Sequence, residues 1–109
     1  PKDVVLTISH SIQYKVEQAL ARGVQSARAK SGMAIVLDPK TGEILALANH
    51  PTFDPNRING VAPEVFTNRA VQSLHSPGSV FKLVTYGAAL EEKVINPDAP
   101  VDTSRGFIE

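Results

Sequence analysis

The chain has 109 residues, of which 42% are hydrophobic and 20% are charged. This length and composition predict at most one small globular domain and exclude an extended disordered chain. Basic and acidic residues both number 11, so the formal net charge is +0, and no block of like charge indicates a nucleic-acid partner. Cysteine is absent, which excludes disulfides, thiolate catalysis and cysteine-bound zinc.

The first segment, residues 4–29, predicts a strand followed by an amphipathic helix. Residues 4–8 form a β-branched run, and apolar residues then recur at helical spacing from Ile12 to Ala27. Ser9 or Ser11 is placed to cap this helix, and Gln13 falls on its predicted solvent face. No apolar run approaches the roughly 20 residues of a membrane span, so we expect that any targeting segment either lay upstream or never existed.

Two apolar runs within residues 32–49 predict a β-hairpin. They are separated by Asp38-Pro39-Lys40-Thr41-Gly42, a turn by composition. Neither strand alternates apolar with polar residues, so we expect both faces of the sheet to be covered. The predicted fold class is therefore α+β, an antiparallel sheet sandwiched by helices.

The next segment, residues 50–62, is rich in proline, asparagine and aspartate, and predicts a long loop. A short helix is expected to begin at Pro63 or Glu64. Residues 77–92 then predict a helix that is apolar on every side and therefore buried. The remaining residues, 93–109, resemble a truncated tail with no terminal element.

At the N-terminal end of this last helix, the hydroxyl of Ser79 lies three residues before the amine of Lys82. With Ser76 as N-cap and Pro77 as the first helical residue, the Ser79 backbone N–H would have no intrahelical partner and could bind an oxyanion. A serine hydroxyl needs a neighbouring base, and a lysine kept neutral can accept its proton. Burial and the positive helix terminus would both favour the neutral amine.

The Ser-x-x-Lys spacing has an ordinary alternative explanation. A capping serine followed by a lysine that extends to solvent would give the same spacing. The Pro-Gly turn before Ser79 and the apolar surroundings of Lys82 favour the catalytic interpretation. The three histidines, His10, His50 and His75, share no metal-ligand spacing, and no His/Asp arrangement suggests a triad.

Several motifs together resemble class B penicillin-binding proteins, and Ser-x-x-Lys is the first element of that family's signature. Pro77-Gly78-Ser79-Val80-Phe81-Lys82 is similar to the family's usual Pro-Gly-Ser-Thr-Phe-Lys. The other matching stretches follow the family's order and are Leu6-Thr7-Ile8, Ile12-Gln13, Asp38 to Ala46, Pro51 to Asn56 and Asn68-Arg69-Ala70. The Asp54-Pro55-Asn56 loop resembles class B, with the cell-division branch as the candidate within it, more than bifunctional class A. The resemblance covers nearly the whole chain.

This resemblance implies part of a peptidoglycan D,D-transpeptidase domain, with the penicillin-binding protein and serine β-lactamase-like fold incomplete in this chain. It implies Ser79 as the acylated nucleophile, Lys82 as general base, and no metal or organic cofactor. Implied partners are D-Ala-D-Ala stem peptides, β-lactam antibiotics, the remainder of the domain, and divisome or elongation proteins. The parent would be anchored at the extracytoplasmic face of the bacterial inner membrane by an N-terminal segment outside this chain.

The chain also departs from the family pattern. Val80 replaces the usual threonine, Ser9 replaces an aspartate, and His75-Ser76 replaces a Tyr-Glu pair. No Ser-x-Asn motif follows Lys82, and Lys40-Thr41-Gly42 precedes the nucleophile at a place where a turn is required. We therefore interpret Lys40-Thr41-Gly42 as a turn, and we expect the isolated chain to be inactive.

Three other interpretations remain open from the sequence. A serine β-lactamase shares Ser-x-x-Lys but adds a deacylating water, and a β-lactam sensor domain would be acylated stably without transpeptidation. A non-catalytic or scaffold role for the chain is the third, because the second and third active-site motifs are absent.

Overall fold

The computed structural model describes residues 2–100 and Ser104, which form two compact units. The first unit runs up to Leu74 and contains a helix, a β-hairpin and a second, short helix. The second unit begins at His75 and contains a 3₁₀ turn and a helix. Part of the predicted tail, residues 101–103 and 105–109, lies outside the described residues. Among those described, no helix is long and apolar enough to cross a membrane.

The first helix, α1, spans His10–Ser26. Ser9 precedes it in an extended conformation, as an N-cap residue should, but its hydroxyl lies 3.3 Å from that of Ser11 and caps no backbone amide. The predicted strand over residues 4–8 is absent, so that prediction was wrong. Val4 and Val5 are 81% and 93% exposed, and Thr7 reaches the edge of β2 through its side-chain hydroxyl rather than through a backbone ladder.

The predicted hairpin consists of β1, Gly32–Leu37, and β2, Ile44–His50. The strands are antiparallel, with Gly32 opposite His50 and a register irregularity at Leu37. β2 therefore extends one residue into the predicted loop. At the turn, the Asp38 carboxylate accepts hydrogen bonds from the Lys40 and Thr41 amides, at 2.7 and 3.3 Å.

One face of the hairpin packs against α1 through small residues. Ala46 and Ala48 are 0% and 1% exposed, and Ala48 pairs with Ala34 across the strands. Because side chains alternate along a strand, Gly32 shares this face with Ala34. Small residues here let the helix approach the sheet closely, and Val24 completes this small core.

The outer edge of β2 is occupied by groups from the N-terminal segment. The Gln13 side chain bonds both backbone groups of Leu47, accepting from its N–H at 2.8 Å and donating to its carbonyl at 3.1 Å. The Ser9 N–H donates to the Leu45 carbonyl at 2.9 Å, and the Thr7 hydroxyl donates to that of Ile44 at 2.6 Å. Gln13 is thus half-buried and takes the place of a strand neighbour, whereas the sequence placed it on the solvent face.

The other face of the hairpin is covered at one end only. A 3₁₀ turn, Pro63–Phe66, precedes the short helix α2, Arg69–Gln72, which contacts both strands. Ile35 and Leu37, farther along β1, are 42% and 53% exposed. Sequence reasoning expected helices on both faces, and within the described residues the second face is covered in part.

The side chain of Asn49, near the end of β2, fixes the start of α2. Its Oδ1 accepts from the Ala70 N–H at 3.2 Å, and its Nδ2 donates to Oδ1 of Asn68 at 2.9 Å. Asn68 is the N-cap residue of α2 but makes no capping bond with its own side chain. Asn49 therefore performs a capping role from a distant strand.

Candidate active site

Ser79 and Lys82 lie where a 3₁₀ turn joins a helix. The turn is Gly78–Phe81, and the helix, α3, is Lys82–Glu91. The single helix predicted over residues 77–92 is thus divided, and it begins one residue later than expected. Pro77 rather than Ser76 occupies the N-cap position, and Gly78 enters the turn at a φ of 53°, a left-handed conformation that glycine tolerates.

The 3₁₀ geometry places the two side chains on the same side of the backbone. A 3₁₀ helix has three residues per turn, so side chains at i and i+3 eclipse one another. Ser79 belongs to the turn, and Lys82 follows it with helical φ and ψ of −58° and −27°. Among the described residues, no hydrogen bond joins the Ser79 hydroxyl to the Lys82 amine, and both residues are exposed.

The backbone N–H of Ser79 has no acceptor among the described residues. The first amide of the turn to be paired is that of Val80, which donates to the Pro77 carbonyl at 3.2 Å. The Ser79 N–H is thus one of the unpaired donors that every helix leaves at its N-terminus. It can stabilise negative charge that develops on an oxygen beside Ser79.

The burial predicted for this helix is absent from the described structure. Apart from the half-buried Ala89, every residue of α3 is exposed, and Leu83 and Tyr86 are 79% and 58% exposed. The prediction rested on a pattern of apolar residues, and such a pattern shows what a helix can bury without supplying the surface that covers it. Lys82 is accordingly not desolvated by the described residues.

The Lys40-Thr41-Gly42 segment is the hairpin turn that its position predicted. The Gly42 N–H donates to the Asp38 carbonyl at 2.8 Å, and Gly42 has a φ of 75°. The Thr41 hydroxyl is bonded within the turn, since it donates to the Glu43 carboxylate at 3.2 Å. This segment is therefore a structural turn rather than a substrate-binding strand.

The histidines form no metal site in the described part of the chain. His10 begins α1, His50 ends β2, and His75 is exposed. Within residues 2–100 and Ser104, no group of three or more His, Asp or Glu side chains is close enough to hold a metal ion.

Sequence reasoning missed Asn49 and Gln13, whose partners are distant along the chain. Asn49 bonds Asn68 and Ala70, and Gln13 bonds Leu47, across separations of 19 to 34 residues. The Asn68-Arg69-Ala70 stretch, which matched the family pattern, was the only signal of the first contact. The Ile12-Gln13 stretch, which also matched the family pattern, was the only signal of the second contact.

Comparison with known proteins identifies the family. The penicillin-binding protein transpeptidase domain family matches residues 32–109. Penicillin-binding protein PbpB of Mycolicibacterium smegmatis is 46% identical over 96 residues, covering 87% of this chain and 15% of that protein. The probable peptidoglycan D,D-transpeptidase PenA of Neisseria gonorrhoeae is 42% identical over 90 residues, covering 83% and 16% respectively.

A further relative and a solved structure agree with this match. Peptidoglycan D,D-transpeptidase FtsI of Escherichia coli K12 is 33% identical over 101 residues, covering 93% of this chain and 17% of that protein. A crystal structure of a peptidoglycan glycosyltransferase from Burkholderia ambifaria superimposes with a TM-score of 0.67 at 33% identity. It is matched over 91% of this chain and 27% of its own length. The expected fold class is confirmed, and the chain belongs to the penicillin-binding protein transpeptidase domain family.

Proposed function

We propose that this chain is part of a serine peptidoglycan D,D-transpeptidase that is acylated at Ser79. The observation that carries the proposal is the placement of Ser79 and Lys82 one 3₁₀ turn apart, with the Ser79 N–H unpaired, in a chain of this family. The matching segment is about a sixth of the length of its relatives, so the activity belongs to a longer protein.

In the first half-reaction, the Ser79 hydroxyl oxygen attacks the carbonyl carbon of the penultimate D-Ala of a stem peptide. Lys82 accepts the hydroxyl proton as the new C–O bond forms. The carbonyl oxygen becomes an oxyanion, and the Ser79 N–H donates to it together with a second donor from elsewhere in the longer protein. The intermediate collapses, the C–N bond breaks, and the terminal D-Ala leaves with the proton on its amine.

In the second half-reaction, an amine of a neighbouring stem peptide attacks the ester carbonyl. A new amide bond forms, the C–O bond to Ser79 breaks, and the hydroxyl recovers a proton through Lys82. A β-lactam would enter the first half-reaction in the same way, through opening of its ring amide, and would remain as a stable ester. Because the substrate is cell-wall peptide, we place the longer protein at the extracytoplasmic face of the inner membrane.

The test uses the full-length protein that contains this chain, a fluorescent penicillin and peptide mapping by mass spectrometry. We expect one covalent adduct on Ser79, loss of that adduct in Ser79→Ala, and its retention in Ser76→Ala, a matched control three residues away. Labelling of Ser79→Ala at the level of the wild type would overturn the assignment. Rapid multiple turnover of a chromogenic cephalosporin would instead indicate a β-lactamase.

We also propose that the 109-residue chain alone is not acylated. The apolar surface of α3 is uncovered in the described structure, and the described residues do not desolvate Lys82. Intact-mass analysis of the isolated chain after incubation with penicillin should show no adduct. Stoichiometric acylation would contradict this proposal.

A further inference from the structure

We propose that a cavity at the outer edge of β2 binds an alkylammonium group between Glu17 and Asn49. All the residues that line this cavity belong to the first compact unit, so the inference does not depend on Ser79 and goes beyond the proposed function. The cavity has a volume of about 280 Å³, slightly below the range of sites for drug-sized molecules. It is suited to a ligand of a few carbon atoms or to a single side chain.

The first step of the argument is the register between α1 and the outer edge of β2. The Ser9 N–H, just before the helix, donates to the Leu45 carbonyl at 2.9 Å. One helical turn later, the Gln13 side chain bonds both backbone groups of Leu47. Four helical residues rise about 6 Å and two strand residues about 7 Å, so each turn of α1 advances by two residues along β2.

The second step is the next pair in this register, Glu17 and Asn49, both of which line the cavity. Backbone groups alternate in direction along a strand, so those of Asn49 point to the same outer edge as those of Leu47. Gln13 satisfies Leu47 because an amide both donates and accepts, whereas a carboxylate only accepts. Glu17 therefore cannot donate to the Asn49 carbonyl, and no donor in the described part of the chain does so.

The third step is the charge of Glu17. This residue is partly buried, and its carboxylate accepts a hydrogen bond from the neutral Gln13 amide at 2.7 Å. Within residues 2–100 and Ser104 it makes no ion pair, and it is the only charged residue that lines the cavity. A partly buried carboxylate is stabilised by a cation that also donates hydrogen bonds. An ammonium group between Glu17 and Asn49 would supply both the cation and the donor that the Asn49 carbonyl lacks.

The other walls of the cavity suit the carbon chain of such a ligand. Phe53 and Phe66 form a tilted aromatic pair, with ring centroids 4.6 Å apart and an interplanar angle of 55°. An aromatic face attracts a cation that lies within about 6 Å of the ring centroid, and it also packs against alkyl carbons. Thr52 and Thr67, which line the cavity too, carry hydroxyl oxygens that can accept from an ammonium.

The experiment is isothermal titration calorimetry of the full-length protein that contains this chain. The probes are n-pentylamine, its neutral counterpart 1-pentanol, and acetyl-Gly-Lys-Gly-amide, which presents the same ammonium group on a lysine side chain. We expect saturable binding of the amine or of the peptide, and none of the alcohol. Tighter binding of the amine would identify a free small amine as the ligand, and tighter binding of the peptide would identify a lysine side chain.

Glu17→Gln removes the charge and keeps the shape of the side chain. The introduced amide can still accept from Gln13, so we expect an unchanged Tm and at least about tenfold weaker binding of the preferred amine probe. Glu64→Gln is the matched control, because it removes an exposed carboxylate from the neighbouring 3₁₀ turn, and it should bind within about twofold of wild type. Phe53→Leu, which removes an aromatic face, should weaken binding about threefold.

A wild-type protein that binds neither amine probe at millimolar concentration overturns the inference, and so does equal binding of 1-pentanol. Equal weakening in Glu17→Gln and Glu64→Gln overturns it as well, because the attraction would then come from overall negative charge. If Glu17→Gln does not fold, Phe53→Leu decides, and wild-type affinity in that variant overturns the inference. None of these outcomes depends on whether Ser79 is acylated, so failure here leaves the proposed function intact.

Discussion

Gly32 lies so close to Val24 that no larger residue fits between α1 and the hairpin. A Cβ placed on Gly32 would be 2.6 Å from Cγ2 of Val24 and 3.0 Å from Cδ1 of Leu20. Valine is branched at Cβ and cannot swing its methyl group aside easily. The helix approaches the sheet closely because this position has no side chain.

Gly32→Ala is therefore expected to destabilise the protein. Overpacking of a close contact costs about 1 to 3 kcal/mol, since either the Val24 side chain or the helix must move. Thermal or urea unfolding of the full-length protein measures this loss. The matched control is Gly23→Ala in α1, where nothing lies within 4 Å of the added methyl group.

The control variant Gly23→Ala should change the stability in the opposite direction to Gly32→Ala. Replacing glycine by alanine inside an exposed helix stabilises by about 0.5 to 1 kcal/mol. Equal stability of Gly32→Ala and wild type would show that the helix yields at little cost. The close contact with Val24 would then not restrict which residue can occupy position 32.

Gln13→Glu is expected to destabilise the outer edge of β2. Glutamate keeps an acceptor for the Leu47 N–H but loses the donor that bonds the Leu47 carbonyl and the Glu17 carboxylate. It also places like charges one helical turn apart. We expect a loss of about 1 to 2 kcal/mol, measured by unfolding at neutral pH.

Gln18→Glu makes the same chemical change at an exposed position of α1 and should alter stability by less than about 0.5 kcal/mol. If the two variants unfold alike, the hydrogen bonds of Gln13 contribute nothing to the stability of the fold.

The local elements of this chain could be predicted from sequence because their signals are local. Apolar spacing marked α1, and Asp38 and Gly42 marked the hairpin turn with the residues its backbone requires. The prediction of a strand at residues 4–8 was wrong because β-branched residues favour a strand only where a neighbouring strand pairs with their backbone. Val4 and Val5 have none.

The candidate site was only partly predictable, for a related reason. Ser79 and Lys82 could be paired from their spacing, since i and i+3 are neighbours in any helical turn. The roles of Gln13 and Asn49 could not be predicted, because each bonds a backbone segment brought near by folding. The burial of α3 could not be predicted either, because the apolar pattern of a helix does not specify which surface packs against it.

Lys82→Arg should greatly slow acylation of the full-length protein although it keeps a long basic side chain at this position. An arginine guanidinium stays protonated at any working pH and cannot accept the Ser79 proton. We expect the rate of labelling by fluorescent penicillin to fall at least about a hundredfold, the lower range of a lost proton-transfer catalyst.

Lys93→Arg, just beyond the end of α3, is the control for the same exchange at a position without a proposed role. It should label at the wild-type rate. Labelling of Lys82→Arg at the rate of Lys93→Arg would exclude Lys82 as the base and would favour an electrostatic role for its charge.

Gly78→Ala should slow acylation because it strains the turn that carries Ser79. Gly78 has a φ of 53°, and an L-residue with a side chain pays about 1 to 2 kcal/mol in that left-handed region. The turn can relieve this strain by rotating toward negative φ, which displaces Ser79 and its N–H together. We expect the acylation rate constant to fall about tenfold or more.

The control for this variant is Gly42→Ala in the hairpin turn, where φ is 75° and open space also surrounds the added methyl group. Both substitutions impose similar backbone strain, so both should lower Tm by a similar amount. Only Gly78→Ala should slow acylation, because only Gly78 adjoins the nucleophile. Equal acylation rates at equal loss of Tm would show that the conformation of Gly78 supports folding alone, and that Ser79 is positioned by other contacts.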